Sequence, residues 1–306
     1  MQRGYSLSLY SRLVEAGVPF RFLDTQYRAH PMLMEFSAAC IYQGKLKSGI
    51  DGSERPQPKG IEWPNPECPA AFFECGEEEH LNGESKANEA EARVILKMVQ
   101  GCLDTGELTT EEIGVVTPYK GQVRVLREVL QGGLKCKTQK ELKALEMASV
   151  DNFQGREKEL IIFSAVRSNQ KGQVGFLADW RRLNVMITRA RRGLVVVGCS
   201  RTLCFDRHWK LWLQFTEKQG GCEAGTVERA MAAGAETHQR NDRRRQRMEA
   251  EAKKAEQEKN GDAGAAGAGD EKVASQEQNA KKAKKDPASA TPAGTPATGT
   301  PSGPPP

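Results

Sequence analysis

The sequence predicts an α/β protein built on a mainly parallel sheet, and three observations carry that prediction. Short apolar runs alternate along the chain with stretches whose apolar residues recur at helical spacing. The run Leu160–Val166 (LIIFSAV) is continuous rather than alternating, as in a strand covered by helices on both faces. Every Phe, Trp and Tyr of the 306 residues lies at or before Phe215, so one globular domain is expected over residues 1–219 and a tail over 220–306.

Taken in order, Ser6–Gly17 reads as a helix with Leu9, Leu13 and Val14 on one side, stopped by Gly17 and Pro19. Phe20–Asp24 reads as a short strand, and Met32–Ile41 as a helix with Pro31 in its first turn. Residues 44–69, rich in Gly, Pro and charge, read as an irregular connection. Ala70–Cys75 is a strand, Asn82-Gly83 a turn, and Val94, Ile95, Met98, Val99 and Leu103 mark a helix. Ile113–Val116 is a strand running into Thr117-Pro118-Tyr119, followed by a helix that buries Val123, Leu126 and Leu130. Met147–Val150, Leu160–Val166 and Leu194–Gly198 complete the strands, and a helix around His208–Lys218 closes the fold. In the tail, Thr226–Lys259 suits a charged, solvated helix without a sustained apolar stripe, and Pro287–Pro306 suits disorder. No internal repeat is present.

Charge does not mark a strongly basic binder. The net charge is +5, and the tail holds 14 basic and 13 acidic residues against 31 and 27 elsewhere, so any nucleic-acid contact must come from local placement. Eight scattered cysteines, without a C-x-x-C or zinc-ligand spacing to histidine, read as reduced thiols and no metal site. Met1–Tyr10 lacks an apolar signal core and no apolar run has membrane-spanning length. An intracellular protein is expected, cytoplasmic or nuclear, with Lys281–Lys285 (KKAKK) a weak pointer to the nucleus.

Chemistry concentrates in residues 148–192. Two polar segments, Ser149–Lys158 and Arg181–Arg192, flank the apolar run Leu160–Val166, the second being read as a helix. They bring Gln154, Arg156, Glu157, Arg182, Asn184, Thr188, Arg189, Arg191 and Arg192 to the ends of one buried strand. Guanidinium groups at this density suit phosphate, because the planar fork binds two oxygens of one anion. A solvated basic helix is the plainer alternative, and the neighbouring FQGRE loop, with its Gly and carboxylate, argues against it.

Four motifs then stand together: QYRAHP (26–31), TPYKGQ (117–122), ASVDNFQGRE (148–157) and RRLNVMITRAR (181–191). In order and spacing they resemble superfamily 1 helicases, and about residues 5–217 look like the second RecA-like domain of the branch containing the nonsense-mediated-decay helicase and senataxin. That resemblance implies a parallel RecA-like sheet of the P-loop-NTPase type flanked by helices. It implies ATP with Mg²⁺ as cofactor and single-stranded RNA or DNA as partner. On the nucleotide side it implies Tyr27 stacking on adenine, Arg28 reaching the phosphates, Glu157 contacting the ribose, Gln154 and Gly155 lining the cleft, and Arg189 as an arginine finger. On the nucleic-acid side it implies Thr117, Pro118 and Tyr119, with Ser149, Val150 and Asp151. Ala29 departs from the family's usual Met, which is expected to loosen local packing.

One larger departure concerns the phosphate loop. No G-x-x-x-x-G-K-[ST] occurs in the sequence, and residues 1–219 carry no D-E-x-x acidic motif for Mg²⁺. The resemblance places both on a preceding RecA-like lobe, in the same or another chain. Two readings follow. In the first, this is the C-terminal motor domain of an ATP-dependent helicase and is inactive by itself. In the second, it is a non-catalytic module that binds single-stranded nucleic acid or acts in trans. The combined QYR, GRE and TRAR set favours the first.

Overall fold

The structure, a computed structural model, describes residues 8–135 and 138–265. In chain order come α1 (Leu9–Glu15), β1 (Thr25–Gln26), α2 (Pro31–Cys40), β2 (Lys47–Ser48), β3 (Ala70–Glu74), β4 (His80–Asn82) and β5 (Ser85–Ala87). Then follow α3 (Glu89–Asp104), β6 (Ile113–Thr117), α4 (Lys120–Gly133), α5 (Gln139–Ala144), β7 (Glu146–Ser149) and β8 (Lys158–Ser164). The chain continues through α6 (Trp180–Ile187), β9 (Ala190–Gly198), α7 (Ser200–Leu203), α8 (Arg207–Lys218) and α9 (Thr226–Ala265).

Five strands form one sheet in the order β3-β9-β8-β6-β7, every pair parallel. Because strand side chains alternate between faces, β8 and β9 feed two cores at once. Ile161, Phe163, Leu194 and Val196 join one cluster, whereas Leu160, Ile162, Val195 and Val197 join the other. The first face is covered by α2, α6 and α8 through Phe36, Leu183, Met186, Trp209 and Leu213. The second is covered by α3 and α4 through Ile95, Val99, Leu126 and Leu130. Each such side chain contributes about 1.5–3 kcal/mol of burial free energy, so two-sided coverage is the main driving force for the architecture. The RecA-like α/β sheet flanked by helices is therefore as the sequence predicts.

Several elements differ from the sequence reading. Phe20–Asp24 is not a strand; Thr25–Gln26 pairs instead with Lys47–Ser48 in a separate two-stranded sheet, and Phe20, Phe22 and Leu23 stay exposed. The period-2 pattern is present, but no described strand pairs with it. Arg181–Arg192 is not one helix either. α6 ends at Ile187, where the Thr188 hydroxyl donates back to the Asn184 carbonyl at 2.7 Å, and β9 starts at Ala190. The β4–β5 hairpin around Asn82-Gly83 and the six-residue α5 are additions too short and polar for periodicity to reveal.

The chain divides into two units, Met1–Arg244 and Arg245–Pro306. The first takes in Cys222, Val227 and Ala230, all buried, so the start of α9 is not wholly solvated. Both Lys281–Lys285 and Pro287–Pro306 lie outside the described residues. Among the described cysteines none is bridged, and burial pushes the thiols of Cys75 and Cys102 up to about 12, which keeps them inert. No described helix is long and apolar enough to cross a membrane.

Candidate nucleotide half-site and nucleic-acid cleft

Three separate segments converge near the amino ends of β8 and β9. Gln26 builds the first. Its side-chain oxygen accepts the Arg28 and Ala29 N–H groups at 2.9 and 2.8 Å, and its amide donates to the Ala29 carbonyl at 2.8 Å. This brace holds the Tyr27–Arg28 turn open. Tyr27 is left 65% exposed with its ring close against Gly49, where a Cβ would come within 2.3 Å of it. Ala29 is fully buried in the core beside the brace, and the His30 N–H donates to the Arg191 carbonyl at 2.8 Å, tying the turn to β9.

Glu157 and Arg189 supply the other two segments. Lys158 pairs with Ala190 in the sheet register, so the residues just before them are brought side by side. Arg28 is ion-paired to Glu157 and donates to the Thr188 carbonyl at 3.3 Å. Arg191 stands 4.0 Å from the same carboxylate while binding Glu159 at 2.9 Å. Arg189 is folded back on its own domain, donating to Val185 O at 2.9 Å, Arg156 O at 3.4 Å and Thr188 Oγ1 at 3.2 Å. Burial and the like charge of Arg28 lower its pKa, with Glu157 opposing them. Both guanidiniums reach Thr188, Arg28 at its carbonyl at 3.3 Å and Arg189 at its hydroxyl at 3.2 Å, and like charges brought together in this way favour an anion beside them. Gln154 and Gly155 lie on the exposed turn before Glu157, and Gly155 has φ +82°, a conformation that favours glycine. The set is an open wall carrying an aromatic ring, a carboxylate and two converging arginines. That donor set fits an adenine nucleotide: a ring face for the base, a carboxylate for ribose hydroxyls, cations for phosphate. Among the described residues no three His, Cys, Asp or Glu side chains gather as metal ligands.

At the carboxyl ends of β6 and β7 lies a cleft of about 550 Å³. It brings together Pro118, Tyr119, Val150 and Asp151 with Lys120, Arg124, Phe176 and Arg182. Thr117 and Ser149 do not line it. Thr117 is fully buried, its hydroxyl accepting the Tyr119 N–H at 3.5 Å and its carbonyl the Val150 N–H at 3.2 Å, so it braces the loop. Tyr119 is itself buried: its hydroxyl donates to Val174 O at 3.4 Å and accepts from Arg167 at 3.3 Å, and burial raises its pKa. The exposed aromatic is Phe176, 60% accessible, with its ring 5.7 Å from Tyr119 and the Arg182 guanidinium 5.6 Å above it. Arg182 also forks onto both oxygens of Asp151 at 3.1 and 3.3 Å. Sequence reasoning did not single out Phe176, Lys120 or Arg124. Phe176 sits in a polar stretch without periodicity, and no local pattern marks it.

Arg192 is committed elsewhere, paired to Glu107 and donating to Pro56 O at 2.7 Å, so it belongs to neither set.

Residues 5–201 match a family model described as an AAA domain. The chain is 41% identical over 217 residues to the regulator of nonsense transcripts 1 homolog of Drosophila melanogaster, covering 69% of this chain and 18% of that protein. It is 44% identical over 213 residues to regulator of nonsense transcripts 1 of Caenorhabditis elegans, covering 67% and 19%. It is 40% identical over 224 residues to the ATP-dependent helicase NAM7 of Saccharomyces cerevisiae, covering 72% and 23%. The chain thus spans about a fifth of the length of these curated relatives. With its parallel sheet and its four motifs, the chain belongs to the AAA-domain family of superfamily 1 helicases of the nonsense-mediated-decay type.

Proposed function

We propose that this chain is the second motor lobe of an ATP-dependent helicase, forming one wall of the ATP cleft and part of a single-strand track. The observation that carries the reading is the convergence of Arg28, Glu157 and Arg189, from three distant segments, beside the exposed Tyr27 ring. In this reading Tyr27 stacks on adenine, Glu157 takes the ribose hydroxyls, Arg28 holds phosphate, and Gln154 and Gly155 line the approach. Arg189 releases its three internal acceptors and turns to the γ-phosphate as the two lobes close. Phosphoryl transfer asks a protein for positioning and cationic stabilisation, which an arginine from the facing lobe supplies. Mg²⁺ would be held by the phosphates and by a partner RecA-like lobe, in the same or another chain, and would help neutralise the transferring phosphoryl group. Domain roles follow: residues 1–219 hold the motor functions, and 220–306 is an appended tail.

The cleft takes a single strand of RNA or DNA. Phe176 offers a face for one base, while Lys120, Arg124 and Arg182 attract phosphates; Pro118 and Asp151 shape the walls, with Thr117, Tyr119, Ser149 and Val150 as the frame behind them. The test is fluorescence anisotropy of a labelled single-stranded oligonucleotide against the purified chain. Base stacking on an aromatic is worth about 1–3 kcal/mol, so Phe176→Ala weakens binding roughly 5- to 150-fold. Unchanged affinity in that variant would remove the cleft from the track.

A further inference from the structure

A second groove, of about 470 Å³, runs along the outer edge of the sheet. β7 is the edge strand, and the groove is walled by β7, α4, α5 and the crossover that follows β7. Cations enter it from three elements: Arg127 from α4, Lys143 from α5 and Arg156 from the crossover. Gln131 and Asn152 add amide groups. Glu146 is the one carboxylate in the lining; it is ion-paired to Arg156 and lies 3.4 Å from Lys158. Arg127 donates to the Met147 carbonyl at 3.3 Å, which fixes its guanidinium over the strand edge.

A plainer reading is that these charges guard an exposed edge against pairing with another strand. Guarding needs only a cation on the edge strand itself. Here β7 (EMAS) carries none, and the cations come from outside and converge. They also continue the cleft. Lys120, Arg124, Arg127 and Gln131 fall at i, i+4, i+7 and i+11 of α4, one stripe about 16 Å long, with Val123, Leu126 and Leu130 buried on an adjoining face about 100° away. Glu128, the one acidic residue of α4, follows Arg124 at i+4 on the flank of this stripe and lines neither the cleft nor the groove. Arg124 and Asp151 line the cleft, while Arg127 and Asn152 line the groove, so the two spaces are lined by neighbouring positions of α4 and of the crossover.

We propose that the single strand held in the cleft continues along the β7 edge, its phosphates bound by Arg127, Lys143 and Arg156, with Gln131 and Asn152 donating to phosphate or sugar oxygens. This rests on the cleft being a nucleic-acid site. The groove reads backbone and not bases, so it extends the footprint without adding sequence preference.

The experiment is anisotropy over a salt series, with the full chain and single-stranded oligonucleotides of about four and about twelve nucleotides, within the site sizes known for such grooves. The double variant Arg127→Gln/Lys143→Gln is compared with Phe176→Ala in the cleft. For the long oligonucleotide the double variant is expected to lose about 10-fold in affinity at low salt. Its log–log salt slope becomes shallower by about 1.4, roughly 0.7 for each lost phosphate contact. The short oligonucleotide, which the cleft alone accommodates, is unaffected by the double variant and weakened by Phe176→Ala. Wild-type affinity and slope in the double variant, with Phe176→Ala still weakening both lengths, would end the track at the cleft and overturn the proposal. Equal losses for both lengths would mean a diffuse field or a shifted fold, and would also overturn it. No binding by the wild-type chain at either length would remove the cleft reading as well.

Discussion

Glu91 shows how a single residue ties the second core to the cleft. It is fully buried, yet its carboxyl accepts the Ser164 hydroxyl at 2.5 Å and the Val166 N–H at 2.9 Å. Val166 has φ +69°, a left-handed conformation that costs a β-branched residue about 1–3 kcal/mol, and it leads directly to Arg167, which braces Tyr119. Burial pushes the Glu91 pKa up to about 8, against the opposing hydrogen bonds from Ser164 and Val166. An acid with a folded pKa above its unfolded value binds more protons in the folded state. Its contribution is therefore full below the ordinary carboxyl value of 4.5 and is lost as pH rises towards 8. Urea-unfolding free energy should fall between pH 5 and pH 8, by at most about 1.4 kcal/mol per pH unit, and Glu91→Gln should flatten the fall. Identical pH profiles for the two proteins would contradict this. None of this is legible in EAEARV, where Glu91 looks like one more surface acid of an amphipathic helix. Its burial arises only where the end of β8, through Ser164 and Val166, meets the first turn of α3.

At the scale of elements, the crossover between β7 and β8 is the unusual part. It runs from the carboxyl end of β7 to the amino end of β8, residues 150–157, with only a short 3₁₀ turn at Asp151–Phe153 where parallel strands usually use a helix. Phe153 anchors it and is fully buried; a Cβ on Gly114 would sit 2.7 Å from its ring. Phe153→Ala should destabilise the protein by about 3–5 kcal/mol, and Gly114→Val should also destabilise it by displacing the ring. A loss below about 1 kcal/mol in urea unfolding would show that the crossover is not anchored there. The sequence reveals this element as a motif, DNFQGRE, but not as a path joining two ends of a sheet. Strands β6, β8 and β9 were readable because a strand buried on both faces leaves a continuous apolar run. Phe20–Asp24 was misread because alternation reports a strand's shape and not whether a partner strand is present. The end of α6 was hidden because Thr188 and Arg189 differ little from helix residues until Thr188 bonds back to Asn184.

Across the whole first unit, the crossover links the two faces proposed to be functional: the nucleotide set near the amino ends of β8 and β9, and the cleft at the carboxyl ends of β6 and β7. Motif residues fixed most of the first set by sequence, since QYR, GRE and TRAR each put an ionic or aromatic side chain on it. The second set was only half legible: Lys120 lies within TPYKGQ without a role of its own there, and Phe176 and Arg124 carry no pattern and meet Pro118 and Asp151 only through folding. A one-sided nucleotide wall predicts that the purified chain turns over ATP negligibly, whatever its affinity for single strands; steady phosphate release would count against it. The most direct measurement joins this chain to the rest of a relative named as an ATP-dependent helicase, NAM7 of Saccharomyces cerevisiae, in place of its matching segment, and follows ATP turnover with and without single-stranded RNA. The account predicts turnover stimulated by the single strand in the joined protein, and a loss of about 10³-fold or more in kcat for Arg189→Ala, the range known for arginine fingers. Turnover that survives Arg189→Ala unchanged would contradict the claim that this lobe completes the ATP site.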